Sequence, residues 1–372
     1  MKKKVLFYYL SAFSQTGGIE KFNRCFIKAL DEIDPVSFDC SVLSAYDHKK
    51  DSRYNQTVPF KGFNKKRWQS VLSVIKQSYK TDVLVLGHIN LAIAGAVVKL
   101  LNPRCKVVMI THGIEVWKKL VFIKRWMLRK SDVILSVSNY TKNQLVLRNK
   151  IDPKKIKIFP NTLDPQFKIP EVFEKPQYLL ERYGLQKNAK VILTLSRLSS
   201  SEQEKGYDRV ITALPQIIKE VPDAVYILAG KYDETEKKRI SQLAASHNVS
   251  GKIILTGFVI DAEVSDHYLL ADVFIMPSRK EGFGIVFLEA IACGAAVVGG
   301  NQDGTVDALK NGAFGSLINP GSIGEISSTL IDILQSDEGK ERKTNLQHQV
   351  IEQYHFSRYK ERLLNSLSTY AN

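Results

Sequence analysis

The chain has 372 residues, of which 44% are hydrophobic, and carries 53 Lys and Arg against 38 Asp and Glu, a formal net charge of +15. That length allows two domains of ordinary size, each with its own core, and excludes a single small binding module. The four cysteines, Cys25, Cys40, Cys105 and Cys293, form no CxxC pair, so reduced thiols of a cytoplasmic protein are expected rather than a disulfide framework or a zinc site.

In chain order, Met1-Lys-Lys-Lys4 precedes the apolar run Val5–Leu10, which is short and lacks a following small-residue cleavage site. A first buried strand is expected there, not a signal peptide. Short apolar runs rich in β-branched residues then alternate with segments of helical period, the pattern of βαβ units around a parallel sheet. Strands are expected at Val5–Leu10, Phe38–Leu43, Val83–Gly87, Lys106–Ile110, Val133–Val137 and Ile156–Phe159. A second series follows at Val191–Leu195, Ala224–Leu228, Ile253–Leu255, Val273–Met276 and Ala296–Gly299. Between the series, residues 161–190 hold Pro165, Pro170 and Pro176 with weak periodicity, which places a linker there. The fold class is therefore α/β with two Rossmann-like domains, 1–164 and 165–353. Ser131-Asp-Val-Ile-Leu-Ser-Val-Ser138 also lines up with Ala271-Asp-Val-Phe-Ile-Met-Pro-Ser278, which suggests two domains of one type. The longest apolar stretch, Gly282–Gly300, is interrupted by Glu289 and rich in glycine, so no membrane span is expected.

Charge divides unevenly between the halves. Residues 1–170 hold 31 Lys and Arg against 12 Asp and Glu, a net of +19, and the remainder stands at −4. Nucleic acid and an anionic membrane are the polyanions such a basic half could meet, against a solvated surface with no partner. Interleaved aromatic platforms and nucleic-acid motifs are missing, so no nucleic-acid partner is expected.

In open α/β sheets ligands sit beyond the carboxyl ends of strands, so the residues just after strands are the candidates. After the first strand, Gly17-Gly18 opens a helical segment, where amides and the helix dipole favour an anion; an ordinary turn is the competing reading. Thr111-His112-Gly113-Ile114-Glu115 puts His112 at a strand's end rather than in a core. Ser196-Arg197-Leu198 and Lys205-Gly206 place two cations on one loop, suited to a diphosphate unless both are merely solvated. In Ser278-Arg-Lys-Glu281-Gly-Phe283-Gly284-Ile285-Val-Phe-Leu-Glu289, a helix is expected to start near Phe283 with its free amides at the site. Eight residues on a helix would separate Glu281 from Glu289 by about 12 Å along the axis, too wide for a glycosidase carboxylate pair at about 5–10 Å.

These motifs together resemble family 4 of the retaining glycosyltransferases, which have the GT-B fold: the Glu281-x7-Glu289 signature, Ser-Arg197-Leu, Lys205-Gly206, Thr-His112-Gly and the Gly17-Gly18 loop. The resemblance implies two Rossmann-like domains facing across a cleft, with a final helix, about 354–372, crossing back to the first. It implies Arg197 and Lys205 on the donor diphosphate beside the backbone of Phe283, Gly284 and Ile285, with the Gly17-Gly18 loop on the donor as well. Glu281 would meet donor-sugar hydroxyls, Glu289 the ribose, and Phe258 and Val259 the nucleobase. His112 would lie under the reacting sugar, supporting positive charge through its carbonyl or ring. Two segments depart from the family pattern: Asn301-Gln-Asp-Gly-Thr305 replaces the usual Gly-Gly-Pro-Glu, and Asn161-Thr162 the usual Asn-Gly.

The implied activity is retaining transfer of a hexosyl unit from a nucleotide-diphosphate sugar, UDP-sugar first and GDP-mannose second, to a saccharide or lipid-linked acceptor. The leaving phosphate would accept the acceptor's proton without a protein nucleophile. No Asp-x-Asp occurs in the chain, so no divalent metal or other cofactor is expected. A nucleotide-sugar epimerase of the same fold and a non-catalytic basic binding module are the alternatives. The segments Lys61–Lys80, with Trp68, and Val116–Lys130, with Trp117 and Trp126, join cations to bulky apolar residues. They predict contact with an anionic membrane and a peripheral place on the inner face of the cell membrane.

Overall fold

The computed structural model describes residues 2–336 and 339–371. The chain forms two compact units, residues 1–166 with 354–372, and residues 167–353.

The first unit runs β1 (Lys3–Tyr9), α1 (Gly18–Asp31), β2 (Phe38–Ser44), β3 (Phe60–Gly62), α2 (Arg67–Ser78), β4 (Val83–Leu86), α3 (Ala92–Leu101), β5 (Lys106–Thr111), α4 (Phe122–Lys130), β6 (Val133–Ser136), α5 (Asn139–Asn149) and β7 (Ile156–Ile158). Its seven strands are parallel in the order β3-β2-β1-β4-β5-β6-β7. Helices on both faces bury the strands, so β4, Val-Leu-Val-Leu, reads as an unbroken apolar run, every residue of which is buried. The order reverses between β1 and β4, which opens a crevice at their carboxyl ends.

The second unit runs α6 (Gln177–Arg182), β8 (Lys190–Leu195), α7 (Tyr207–Glu220), β9 (Ala224–Ala229), α8 (Glu234–Ser246), β10 (Ile253–Gly257), α9 (Val264–Leu270), β11 (Val273–Met276), α10 (Ile285–Ala292), β12 (Ala296–Gly300), α11 (Thr305–Ala308), β13 (Ser316–Ile318), α12 (Ile323–Gln335) and α13 (Lys340–Tyr354). Its six parallel strands are ordered β10-β9-β8-β11-β12-β13, with the reversal between β8 and β11. A last helix, α14 (Phe356–Ala371), belongs to the first unit. There the Tyr359 ring packs 6.0 Å from Phe22 and 4.7 Å from Phe159, and Lys360 Nζ lies 3.0 Å from Glu32 Oε2.

The internal similarity of residues 131–138 and 271–278 extends to side-chain geometry. Asp132 Oδ2 accepts from the Val107 amide at 2.7 Å and from Lys99 Nζ at 2.6 Å, while Lys99 also donates to the Cys105 carbonyl at 3.0 Å. In the second unit Asp272 Oδ2 accepts from the Val191 amide and from Lys175 Nζ, both at 2.6 Å, and Lys175 donates to the Ala189 carbonyl at 2.7 Å. Each aspartate stands just before an inner strand and ties its start to the neighbouring strand.

Three sequence expectations are corrected. The three-residue strands β3 and β13, both at sheet edges, are absent from the expected series, because three residues are too short a run to show a periodicity. The helix after β11 begins at Ile285, not near Phe283, since Gly284 is left-handed at φ 90°. Glu281 therefore lies in the turn before α10, and the 12 Å axial spacing to Glu289 does not apply. Among the described residues no helix is long and apolar enough to cross a membrane.

Candidate active site

In the second unit, the loops leaving β8 and β11 meet at their carboxyl ends. Gly206 makes this possible: it is left-handed at φ 81°, and a Cβ there would lie 2.3 Å from the Pro277 carbonyl oxygen. That close approach carries Lys205 to the turn after β11, where its Nζ stands 2.6 Å from Glu281 Oε2. The loops are joined again by the Arg279 amide on the Glu204 carbonyl at 3.0 Å and by an ion pair of Lys280 with Glu204. Burial pulls the Lys205 ammonium toward deprotonation, but the charge and hydrogen bond of Glu281 outweigh it, and its pKa stands above the lysine value of 10.5. Arg197 follows β8, is exposed, and has Nη1 3.2 Å from Glu202 Oε1. Arg197, Lys205 and Glu281 thus all stand on the two loops flanking the switch point.

Phe283, Gly284 and Ile285 are buried, and α10 has no side-chain cap at its start. The Phe287 amide donates to the Gly284 carbonyl at 3.1 Å, and the dipole at this helix start favours negative charge. Gly284 is required as glycine, because a Cβ would lie 2.6 Å from the Phe287 ring. Phe258, just past β10, is 56% exposed, an open ring beside the half-buried Val259. Glu289 differs from Glu281: it has no exposed surface, and its Oε2 accepts from the Tyr268 hydroxyl at 3.2 Å. Its carboxylate lies beneath the surface with the α9 tyrosine.

The residue that sequence reasoning missed is Asp303, in the segment that departs from the family pattern. Completely buried, it accepts from Ser278 Oγ at 2.7 Å, from the Glu281 amide at 2.7 Å and from the Thr305 amide at 2.9 Å. Burial pushes its carboxyl up to about 6, held there against the lowering effect of Ser278 and Thr305. The Asp-Gly pair after β12 was the available signal, since such pairs mark turns in which the aspartate bonds nearby amides.

In the first unit, the loop after β1 is shaped by a second missed carboxylate. Buried Asp47, just past β2, accepts from the amides of Ala12, Phe13 and Ser14 at 2.9, 3.2 and 2.9 Å. The loop delivers Gly17 and Gly18 to the start of α1, which has no side-chain cap. Gly18 is exposed, and a Cβ on it would meet nothing within 4 Å. The surrounding protein therefore does not require glycine there.

His112, at the end of β5, is half-buried and pinned from three sides. Its amide donates to Glu115 Oε1 at 2.5 Å, its Nε2 lies 2.8 Å from the Gly87 carbonyl oxygen, and the Phe22 ring meets it edge-on at 4.9 Å. A carbonyl only accepts, so Nε2 carries a proton and a neutral ring keeps Nδ1 as the acceptor. His88, past β4, stacks on it with centroids 6.1 Å apart. Burial lowers the His88 pKa to about 4, with Glu115 opposing and His112 adding to the shift, and its Nδ1 accepts from the Asn90 amide at 3.0 Å.

Comparison with known proteins follows the same division. Residues 17–167 match the family model described as Glycosyltransferase Family 4, and residues 179–353 that described as Glycosyl transferases group 1. The GDP-mannose-dependent alpha-(1-6)-phosphatidylinositol monomannoside mannosyltransferase of Mycolicibacterium smegmatis is 31% identical over 258 residues, 66% of this chain and 64% of that protein. The chain thus spans somewhat less than two thirds of that relative. The GDP-mannose-dependent monoacylated alpha-(1-6)-phosphatidylinositol monomannoside mannosyltransferase of Corynebacterium glutamicum is 26% identical over 343 residues, 86% of this chain and 85% of that protein. Among solved structures, Anabaena HepE in complex with UDP and glucose superposes with a TM-score of 0.79 at 18% identity, covering 99% of this chain and 100% of that one, a likeness of fold. With both halves matched by these models, the chain belongs to the family 4 glycosyltransferases.

Proposed function

We propose that this chain transfers a hexosyl unit, with retention, from a nucleoside diphosphate sugar to a lipid-linked or saccharide acceptor. The observation that carries the reading is the convergence of Lys205, Arg197, Glu281 and the uncapped start of α10 on the two loops at the β8–β11 switch point. Two cations and helix-end amides suit a departing diphosphate, and preorganised donors of this kind usually contribute most of the rate enhancement in group transfer. The leaving phosphate takes the acceptor's proton, so no protein nucleophile is needed. Arg197 and Lys205 supply the charge that a divalent metal would otherwise provide, and turnover persists in a chelator. Phe258 offers a face to the nucleobase, and Glu281 accepts from sugar hydroxyls. A ribose contact by Glu289 requires its carboxylate to become accessible when the donor binds. GDP-mannose is the first donor to test, as it is named for both relatives, and UDP-glucose the second. Protection against thermal unfolding tests the donor: a ligand at 100 times its dissociation constant adds about 2.7 kcal/mol.

The acceptor side of the reading is a membrane. In the first unit α2, α3 and α4 pack side by side. They leave Trp68, Leu72, Ile93, Leu100 and Phe122 more than half exposed, with Lys65, Lys66, Arg67, Lys118 and Lys119 exposed beside or between them. Cations next to exposed large apolar side chains suit an interface of anionic headgroups, each cation contributing about 1 kcal/mol near the surface. Trp117 and Trp126 do not serve as boundary residues: both are half-buried against the core, and Trp117 Nε1 donates to Thr141 Oγ1 at 3.1 Å. Both relatives are named for phosphatidylinositol monomannoside, which agrees with an acceptor held in a lipid surface. Sedimentation with anionic liposomes at low salt, lost at high salt and with neutral lipid, is the expected result.

A further inference from the structure

We propose that Asp303 is the positioning residue of the Glu281 turn, the buried carboxylate that fixes where Glu281 meets the donor sugar. The inference rests on the donor reading above. Glu281 stands on no regular element, since β11 ends at Met276 and α10 begins at Ile285. The backbone of 277–284 therefore lacks a ladder or helix to set its shape, and its hydrogen bonds must come from elsewhere. The Arg279 amide is taken by the Glu204 carbonyl, while Ser278 Oγ and both backbone groups of Glu281 are taken by Asp303 and Gly304. Asp303 Oδ2 accepts from Ser278 Oγ at the start of the turn and from the Glu281 amide in its middle, both at 2.7 Å. Asp303 Oδ1 accepts from the Thr305 amide at the start of α11, at 2.9 Å. The Gly304 amide donates back to the Glu281 carbonyl at 2.8 Å, so both backbone groups of Glu281 are held by consecutive residues.

Residue type follows from this geometry. Three donors converge on one side chain, and only a carboxylate presents acceptors alone; the NH2 of an asparagine would face one of the donors. Gly304 must lack a Cβ, which would lie 2.1 Å from the Gly282 carbonyl oxygen. The Glu281 and Lys205 charges are the titratable groups around Asp303, and neither forms an ion pair with it at contact distance. A buried charge with only neutral hydrogen-bond donors is costly to keep, which calls for a task. Holding Glu281, and through it the carboxylate that meets Lys205, is that task.

The test is Asp303→Asn, compared with the full-length wild-type protein by hydrogen exchange and by calorimetric binding of GDP-mannose, UDP-glucose and the free nucleoside diphosphates. Exchange in the 278–284 peptide should rise about tenfold or more, the size of one lost charge-assisted bond, while β8 and β9 peptides stay unchanged. Affinity for the nucleotide sugar should fall by about the same factor, and affinity for the free diphosphate should hold, because Arg197 and Lys205 are untouched. Unchanged exchange, or an equal loss for sugar and free diphosphate, would overturn the proposal. If wild-type protein binds no nucleotide sugar, the donor reading fails, and the exchange result still decides the role of Asp303. Ser278→Ala, which removes one donor and keeps the carboxylate, should give a smaller change in the same direction and replaces Asp303→Asn if that variant does not fold.

Discussion

Lys205 Nζ and Glu281 Oε2 are 2.6 Å apart, with about a fifth of each side chain exposed, so the ammonium and the carboxylate satisfy each other. A donor bound as proposed must share or displace that pair. Lys205→Ala leaves the carboxylate without its partner and should cost roughly 1–2 kcal/mol of stability, between an exposed and a fully buried pair. Glu281→Gln should lower kcat by about 100-fold or more with the fold intact. Because each change already breaks the pair, the double variant should lose less than the sum of the singles, in stability and in kcat alike. Fully additive losses would assign the two residues separate roles.

Two buried groups give opposite pH slopes. Asp303 is raised from 3.8 to about 6, so the folded state holds its proton more tightly, and its contribution to stability is full below about 4 and lost as pH rises through 6. His88 is lowered from 6.5 to about 4, so its neutral ring supports the fold above 6.5 and that support is lost as pH falls toward 4. Urea denaturation of wild type, Asp303→Asn and His88→Gln at about pH 4, 5, 6 and 7 separates them. Wild type relative to Asp303→Asn should lose about 2–3 kcal/mol across that range, and relative to His88→Gln gain a similar amount. Slopes of the reverse sign would contradict the burial of these groups.

Glycines at the site divide into those the fold needs and those it does not. Gly206→Ala combines a φ of 81° with a Cβ 2.3 Å from the Pro277 carbonyl oxygen, and should cost more than about 2 kcal/mol. Gly18→Ala meets nothing, and in the first turn of α1 should be neutral or slightly stabilising. If Gly18 is there for a ligand to approach, Gly18→Ala keeps its melting temperature and loses donor affinity. Unchanged donor affinity would leave Gly18 without a part in donor binding.

Trp68 is 78% exposed on α2, so its removal tests the membrane reading without disturbing the fold. Trp68→Ala with Leu72→Ala should leave the melting temperature unchanged and reduce binding to anionic liposomes about tenfold or more, since both side chains lose apolar burial in the interface. Equal binding by the variant would shift the contact to another surface.

Most of the architecture was legible because parallel strands covered on both faces read as unbroken apolar runs, as Val83–Leu86 and Val273–Met276 do. The edge strands Phe60–Gly62 and Ser316–Ile318 were not, being only three residues long. Arg197, Lys205 and Glu281 were legible by position after strands, and the structure brings Lys205 and Glu281 into contact. What sequence could not give was the far partner: Asp303 lies 22 residues beyond the amide it holds, and Asp47 lies 33 beyond Ser14. Spacing put Glu281 and Glu289 on one helix, whereas a left-handed Gly284 separates them. Charge and aromatic content alike marked Trp117 and Trp126 as interfacial, and packing against the core takes both away.

Transfer from a nucleotide sugar is decided by a single assay. The purified protein is incubated in chelator with GDP-mannose or UDP-glucose, with and without lipid extract as acceptor, and nucleoside diphosphate release and labelled product are followed for wild type and Glu281→Gln. One donor should be consumed only with acceptor present, hexose should appear in the lipid fraction, and Glu281→Gln should cut both by about 100-fold or more. Conversion of the donor to an isomer without acceptor, or transfer unchanged by Glu281→Gln, would refute a glycosyl transfer centred on the Glu281 turn.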